Sequence, residues 1–276
     1  MDDRQKREPP VLGVIRLDYD YPPALGDIDH PDTFNFDVVY RAVPGLTFEI
    51  CQSGKISEAV LENCRKAVAF LNEKKVSGIT GDCGFMLNIQ DFVRNHTDKP
   101  VFMSCLGQLH SMIHSINSNA EIAVFTANSK SLEAVESELD RLSGLREHSH
   151  RLQIVGCESV PGFEAVAQGR KVDSGKVQPG VIRLAKEFLR NHPKVECILL
   201  ECTELPPYAD ALRYETGLPV YDSVTNCNAF MSGYLDNQNF GMDDWQKSWA
   251  GPHKEYHLGE NLSDTEKDSL INIDRE

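Results

Sequence analysis

The chain contains the string Val76-Ser-Gly-Ile-Thr-Gly-Asp-Cys83-Gly-Phe85 and, further on, Val195-Glu-Cys-Ile-Leu-Leu-Glu-Cys202-Thr-Glu204, which share the pattern Val-x-x-Ile-x-x-[Asp/Glu]-Cys. The cysteines that end this pattern, Cys83 and Cys202, are 119 residues apart, and Lys99-Pro-Val-Phe-Met-Ser104 and Leu218-Pro-Val-Tyr-Asp-Ser223 repeat another pattern at the same separation. Each cysteine string has the form of a buried strand that ends on a thiol just before a helix. The spacing therefore predicts one unit used twice, with the two thiols facing each other across a shared cleft.

Strand and helix patterns alternate around both strings. Apolar runs at 11–17 and 121–126 are typical of buried strands, and residues 46–50 are interpreted as a further strand. Apolar residues recur every three or four positions over 60–71, which predicts a helix with Ser57 as its N-cap. Strands that alternate with helices favour parallel sheets with right-handed crossovers. The prediction is an α/β fold of two pseudo-symmetric Rossmann-like lobes with parallel sheets and an active-site cleft between them.

The repeat also suggests where the lobes begin and end. Residues 11–118 are expected to form the first lobe, completed by residues 222–248, and residues 119–221 the second lobe, which includes a helix over 132–142. Residues 249–276 are polar and acidic, and we expect them to form a loosely held tail.

Composition excludes several classes of function. The formal net charge is -14, whereas a general nucleic-acid binder needs clustered Lys and Arg. No apolar run approaches the roughly 20 residues that span a bilayer, so no membrane association is expected. The charged first ten residues have no apolar core, which favours the cytoplasm and leaves an organelle open. The eight cysteines lack regular spacing and are expected to be free thiols, most of them simply packed.

Cys83 and Cys202 are the candidate catalytic residues. Ligands bind at the carboxyl ends of strands in α/β sheets, where both thiols are predicted to lie. A helix that begins just after each thiol would lower its pKa and make the thiolate a usable base. Asp82 and Glu201 oppose this, but neighbours on a strand point to opposite faces, so their carboxylates are expected to turn away from the cleft.

A thiolate pair of this kind suits removal of a proton from the carbon next to a carboxylate. Hydrogen bonds to that carboxylate would come from the Gly84 N-H, from the N-H and hydroxyl of Thr203, and from Thr126 and Asn128. Two bases on opposite faces favour racemisation or epimerisation. One base and a leaving group on the β-carbon would turn the same chemistry into β-elimination.

The motifs resemble those of the aspartate/glutamate racemase superfamily and, within it, the algal dimethylsulfoniopropionate (DMSP) lyases of the Alma type. The similarity covers most of residues 11–235. The strings that carry it are Gly26-Asp-Ile-Asp-His-Pro31, Phe48-Glu-Ile-Cys-Gln-Ser-Gly54, Gly78-Ile-Thr-Gly-Asp-Cys-Gly-Phe-Met86, Lys99-Pro-Val-Phe-Met-Ser104 and Glu201-Cys-Thr-Glu-Leu-Pro206. The Glu-Cys-Thr element by itself marks only the superfamily.

This resemblance implies an activity. Members of the family cleave DMSP, a small zwitterion, to dimethyl sulfide and acrylate without a metal or organic cofactor, and form homo-oligomers, tetramers among them. Carried over, Cys83 and Cys202 would be the catalytic pair, one as the base and the other to hold, orient or reprotonate. The sulfonium would meet aromatic rings and carboxylates, with Tyr19 and Tyr21 as candidates for contact. Both kinds of group occur in the segment that holds Asp18, Tyr19, Tyr21, Asp27, Asp29, Phe34 and Phe36.

Three alternatives stay open at this stage. The chain could be a cofactor-independent amino-acid or hydantoin racemase that uses both thiols. It could instead be a non-catalytic binding or redox-sensing protein, since a thiolate is also an oxidation site. A metal site is the third, from the pairs His110/His114 and His148/His150, but no third ligand lies near the first pair in sequence and no metal is expected.

Overall fold

The computed structural model describes residues 8–134, 145, 148–168, 170–235 and 265. Residues up to Leu235 belong to one compact unit, and residues 236–276 form a second, of which Thr265 is described. Most of the predicted tail, and residues 236–248 of the predicted completion of the first lobe, therefore lie outside the described residues. Among the described residues, no helix is long and apolar enough to span a membrane.

The first half of the chain builds a parallel four-stranded sheet in the order β2-β1-β3-β4. Its strands are β1 (Val11–Arg16), β2 (Asp37–Ala42), β3 (Gly78–Gly81) and β4 (Val101–Phe102). Its helices are α1 (Phe48–Ser53), α2 (Glu58–Glu73), α3 (Gln90–Arg94) and α4 (Leu109–Ser115). Helix α2 confirms the predicted periodicity, because Ser57 caps it by accepting a hydrogen bond from the Val60 N-H.

One predicted strand of this half is wrong. Residues 46–50 enter helix α1, because the Thr47 side chain accepts a hydrogen bond from the Ile50 N-H and Gly54, at φ 64°, ends the helix in the left-handed region. The second strand is instead β2, at the sheet edge. Its mixed burial gives only a weak apolar pattern, which explains why the sequence did not mark it as a strand.

The second half builds another parallel sheet, in the order β6-β5-β7-β8. Its strands are β5 (Glu121–Thr126), β6 (Leu152–Gly156), β7 (Val195–Leu200) and β8 (Val220–Tyr221). The helices are α5 (Ser129–Ala134), α6 (Glu164–Ala167), α7 (Ser174–Asn191), α8 (Ala209–Thr216) and α9 (Ser223–Ser232). The predicted helix over 132–142 coincides with the end of α5, and residues 135–142 lie outside the described residues.

The two sheets have the same topology. In each, the first strand of the half lies between the second and the third, and the fourth lies at the other edge. Cys83 and Cys202 both follow the third strand by two residues, after Gly81 and Leu200. This confirms the predicted α/β architecture of two similar halves, while the exact lobe boundaries stay a prediction.

The apolar core is continuous between the sheets. One cluster contains Ile79 and Met103 from the first half together with Val124 and Leu199 from the second. A separate cluster covers the other face of the second sheet. Helix α9 packs on the other face of the first sheet, where Cys227 contributes to the cluster that contains strand β1. The strand ends that carry the two cysteines are thus held by shared packing.

Candidate active site

The two thiols occupy matching places beyond their strands but differ in exposure. Cys83 is buried, with 8% of its surface exposed, in extended backbone just before a 3-10 helix, Gly84–Ile89. Cys202 is partly exposed. A helix begins directly after Cys83, as predicted, although it is a 3-10 helix that leads into α3. After Cys202 the next helical element, the 3-10 turn Pro206–Tyr208 before α8, begins only at Pro206. The expected helix end is therefore formed beside Cys83 but not beside Cys202.

Residues that flank the two cysteines touch each other. The Thr203 hydroxyl donates to the main-chain carbonyl of Asp82. A Cβ atom at position 84 would overlap with Glu201 Oε1, so Gly84 lies flat against the Glu201 carboxylate. Because one contact precedes Cys83 and the other follows it, the loops that carry the two thiols are pressed together. The structure thus brings together Cys83, Gly84, Cys202 and Thr203.

Glu201 does not turn away from the cleft as predicted. Its side chain is buried between the two halves, where Oε2 accepts a hydrogen bond of 2.7 Å from the Thr126 hydroxyl. Its other oxygen, Oε1, is buried without a hydrogen-bond partner among the described residues. Burial raises the pKa of Glu201 to about 7, and the Thr126 hydrogen bond opposes that rise. Glu201 lies just past the end of β7, so the alternation of side chains along a strand does not govern its direction.

Asp82 behaves differently from Glu201. Both of its carboxylate oxygens accept from the Leu17 N-H, at 3.0 Å each. Burial raises its pKa well above the ordinary range, and the charge of Asp29 adds to the rise. The Asp82 carboxylate therefore holds the end of β1 against the loop that carries Cys83.

Both thiols have a raised pKa, the opposite of the predicted direction. For Cys83, a hydrogen bond with the Cys51 side chain contributes most, followed by burial and by the charges of Cys51 and Glu201. For Cys202, burial contributes most, followed by the charges of Glu201 and Glu204. Main-chain hydrogen bonds from Phe85 to Cys83 and from Glu204 to Cys202 lower these pKa values, but burial and the nearby carboxylates outweigh them. A thiolate at this site therefore needs a compensating positive charge or the neutralisation of a neighbouring acid.

Two further cysteines border the site, and sequence reasoning treated both as packing residues. Cys51 of α1 is buried against Cys83, as the hydrogen bond between them shows. The Cys105 thiol donates to the carbonyls of Leu200 and Glu201, at 3.4 and 3.5 Å. Cys51 belongs to one of the strings that carries the family resemblance, which was the signal available for it. No local pattern marks Cys105.

Aromatic rings and carboxyl groups form a second layer. The rings of Tyr19 and Tyr21 stack with centroids 4.3 Å apart, and their hydroxyls donate to Asp29 and Glu204, respectively. Burial raises the pKa of Asp27 well above the ordinary range, and the nearby charge and hydrogen bond of Glu204 add to the rise. Asp27 and Asp29 belong to the segment from which the sequence expected carboxylates for the sulfonium, whereas Glu204 was not assigned to the site.

One cation meets this layer. The Arg16 guanidinium lies 2.7 Å from Asp29 Oδ2, and its carbon lies 4.6 Å from the Tyr19 ring centroid. Tyr21 reaches towards Cys202 through Glu204, which lies two residues beyond that thiol. The Tyr19 ring lies beyond the Tyr21 ring as seen from Glu204. It also stacks on the Phe48 ring, and the two ring centroids are 5.4 Å apart. The aromatic stack thus runs from the vicinity of Cys202 to helix α1.

The remaining two candidates lie on the side of the second sheet. Thr126 is linked to the thiols through Glu201, and its hydroxyl also accepts from the Asn128 N-H at 3.2 Å. Asn128 donates from its side chain to Gln52 of α1, at 3.3 Å. Both Asn128 and Gln52 line a cavity of about 330 Å³ together with Phe48. Asn128 therefore lines this cavity and takes no part in the contact between the loops of the two thiols.

The histidine pairs do not form a metal site. The rings of His110 and His114 have centroids 4.8 Å apart, and His148 lies 5.6 Å from His114. Among the described residues, no group of three or more histidine, cysteine, aspartate or glutamate side chains has an arrangement that could hold a metal ion.

Two facing halves with a site at the strand ends define a known class of fold. The solved structure of a mutant arylmalonate decarboxylase with associated sulfate superposes with a TM-score of 0.56 and 17% identity, over 84% of this chain and 97% of that one. Glutamate racemase from Campylobacter jejuni superposes with a TM-score of 0.52 and 16% identity, over 83% of this chain and 88% of that one. At these identities the likeness concerns the fold: a two-lobed α/β fold of the racemase and decarboxylase type.

Sequence similarity is more specific. The chain is 48% identical over 271 residues to dimethylsulfoniopropionate lyase 7 of Emiliania huxleyi (strain CCMP1516), covering 97% of this chain and 80% of the relative. It is 47% identical over 257 residues to a dimethylsulfoniopropionate lyase of Durusdinium sp. clade D, covering 93% of this chain and 85% of the relative. The chain belongs to the dimethylsulfoniopropionate lyase family. No protein-family model matches it.

Proposed function

We propose that this protein is a DMSP lyase, which releases dimethyl sulfide and acrylate from DMSP. The observation that carries the proposal is the contact between the loops of Cys83 and Cys202, in which Thr203 bonds to Asp82 and Gly84 lies against Glu201. Such a contact supports a site shared by the two thiols. The family relation to proteins named DMSP lyases supports the choice of substrate.

In the proposed reaction, the thiolate of Cys83 or Cys202 takes the α-proton of DMSP and becomes a thiol. The electron pair of the broken C-H bond forms the Cα-Cβ double bond, and the Cβ-S bond breaks with its electrons on sulfur. Dimethyl sulfide leaves as a neutral molecule, so no acid has to protonate it. The main-chain N-H groups of Gly84 and Thr203 are proposed to bind the substrate carboxylate, whose charge grows in the transition state. The Thr203 hydroxyl is engaged by Asp82.

The substrate sulfonium is proposed to lie against Tyr19 and Tyr21. Stacked phenol rings attract a cation through their faces, by about 0.5–2 kcal/mol per contact. Buried Asp27, Asp29 and Glu204 surround these rings with carboxyl groups, and a permanently charged sulfonium would favour their ionised forms. A bound cation would also lower the raised pKa of the thiols, since an opposite charge favours the thiolate.

Gas chromatography of dimethyl sulfide tests the function directly. Purified protein incubated with DMSP is expected to release the gas and acrylate in equal amounts. No gas at high protein concentration, together with deuterium exchange at the α-carbon of aspartate or glutamate, would replace the lyase with a racemase. Absence of both reactions would favour the non-catalytic thiol protein.

Replacing the thiols tests the proposed mechanism. Cys83→Ala and Cys202→Ala are each expected to lower kcat by at least about 100-fold, the usual contribution of a positioned base or acid. Cys64→Ala is the matched control, because Cys64 is a fully buried cysteine of helix α2. Circular dichroism would establish that each variant is folded. Activity retained in both active-site variants would contradict the two-thiol mechanism.

We further propose that the protein assembles as a homo-oligomer, tetramers included, as the family resemblance implies. Light scattering coupled to size-exclusion chromatography measures this directly. A mass equal to the single-chain value of 30.9 kDa at micromolar concentration would contradict it.

A further inference from the structure

Glu201 is placed where it can exchange a proton with the thiols. Its carboxyl group is buried, with 1% of the residue exposed, and Oε1 has no hydrogen-bond partner among the described residues. That oxygen lies against Gly84, the residue after Cys83, and Glu201 itself precedes Cys202. A buried carboxylate with one unpaired oxygen is costly, and a proton on that oxygen removes most of the cost.

The charge of this one carboxyl group acts on four thiols. The charge of Glu201 raises the pKa of Cys83 and Cys202, and also that of Cys105 and Cys157. Among the described contacts, the hydrogen bond from the Thr126 hydroxyl favours the ionised form of Glu201. Two negative charges so close together in a buried site repel strongly, so the carboxylate and a thiolate compete for a single negative charge.

We propose that Glu201 and the two catalytic thiols share one negative charge, so that a thiolate forms when Glu201 holds the proton, and the α-proton taken from substrate leaves the site through Glu201. The inference rests on the proposed lyase function for its last step. Before turnover, the thiol proton moves to the carboxylate and produces the thiolate. After the α-proton has been taken up, acid and thiol are both neutral, and the acid releases one proton to solvent.

Sharing of this kind predicts an unusual dependence of thiol reactivity on pH. While Glu201 is protonated, the thiolate fraction rises tenfold for each pH unit, as for any acid. Above about pH 7, where Glu201 ionises, the site has already lost the proton that the acid and the thiols share. A further rise in pH then leaves the ratio of carboxylate to thiolate unchanged, so the thiolate fraction levels off. The plateau ends at the pH where the repulsion between the two charges is overcome.

The test is the rate of alkylation of Cys202 and Cys83 by iodoacetamide between pH 6 and 9, resolved for each cysteine by peptide mass spectrometry. In the unaltered protein the rate is expected to rise up to about pH 7 and then to level off. In Glu201→Gln it should continue to rise about tenfold per pH unit. The two proteins should react alike at pH 6 and differ by about five- to tenfold at pH 8.

Two variants sharpen the experiment. Glu196→Gln is the matched control, because Glu196 lies on β7, the strand that leads to Glu201, but bonds to Asn117 on the surface, and its profile should coincide with that of the unaltered protein. Thr126→Val removes the hydrogen bond that stabilises the carboxylate, so the plateau should begin at higher pH. If Glu201→Gln does not fold, the comparison of Thr126→Val with the unaltered protein still tests the proposal.

Parallel profiles for Glu201→Gln and the unaltered protein would overturn the proposal, as would an unaltered protein without a plateau. Alkylation needs no turnover, so the outcome is independent of the lyase assay. A plateau in a protein that releases no dimethyl sulfide would overturn the proposed function and support the sharing of charge.

Discussion

At the scale of single residues, Gly84 and Glu201 depend on each other. The carboxylate occupies the space that any side chain at position 84 would need. Glycine is thus required at position 84 because the Glu201 carboxylate approaches its backbone closely, and not because of a special backbone angle. The contact also keeps Glu201 dry, which is the main cause of its raised pKa.

Gly84→Ala is expected to destabilise the protein by about 1–3 kcal/mol, because the added methyl group overlaps with a buried carboxyl group. It should also lower kcat for DMSP, since the loops of the two thiols would be pushed apart. Urea unfolding and the dimethyl sulfide assay measure both effects. Gly107→Ala is the control, because a Cβ atom there meets nothing within 4 Å. Equal effects of the two substitutions would contradict the argument.

The raised pKa of Glu201 makes stability depend on pH. In the folded state this pKa is about 7, against 4.5 for an unperturbed glutamate, so folding takes up a proton between these limits. The stabilising effect of that proton is complete below the unfolded pKa and is lost as the pH rises through the folded one. Glu201→Gln, which carries no charge, should therefore gain stability relative to the unaltered protein as the pH rises.

We expect a gain for Glu201→Gln on the order of 3 kcal/mol at pH 8 and below about 1 kcal/mol at pH 5. Urea unfolding at the two pH values measures it, with Glu196→Gln as the control. A gain of the same size at both pH values would mean that the substitution acts through packing rather than through charge.

At the scale of elements, the loops after β3 and β7 form the centre of the site. They are joined by the hydrogen bond from the Thr203 hydroxyl to the Asp82 carbonyl. Helix α1 adds Cys51 and Phe48 from the first half, and Gln52 of the same helix bonds to Asn128 after β5. The elements of both halves therefore meet through these polar contacts and through shared apolar packing.

Thr203→Val is expected to leave the buried Asp82 carbonyl without this partner, at a cost of about 1–3 kcal/mol in stability. It should lower kcat as well, because the two loops lose their link. Thr203→Ser keeps the hydroxyl and should recover most of both losses. Equal behaviour of the valine and serine variants in urea unfolding and in the lyase assay would show that the hydroxyl is not needed.

At the scale of the whole molecule, the two halves share an apolar core. The residues of β7 that face the first half, such as Leu199, belong to the same cluster as Ile79 of β3. The sequence predicts two lobes with a cleft between them, and the structure places one apolar cluster across both halves. Shared burial of this kind makes the two sheets stabilise each other.

Leu199→Ala is expected to cost about 2–5 kcal/mol, as truncation of a fully buried leucine does. Both halves should still unfold together, so circular dichroism and tyrosine fluorescence should report one urea midpoint. Leu25→Ala, at a position that is 65% exposed, should leave that midpoint unchanged. Two separate transitions in the Leu199 variant would contradict a shared core.

The amino-acid sequence by itself determined the repeated α/β architecture and the equivalent places of Cys83 and Cys202, because periodicity and strand-end motifs are local properties. It failed at residues 46–50, where a threonine cap and a glycine stop produce helix α1. Only the tertiary structure decided the direction of the Glu201 carboxylate, the pairing of Cys51 with Cys83 and the raised pKa of both thiols. These properties depend on burial and on contacts between residues more than 30 positions apart, which no local pattern encodes.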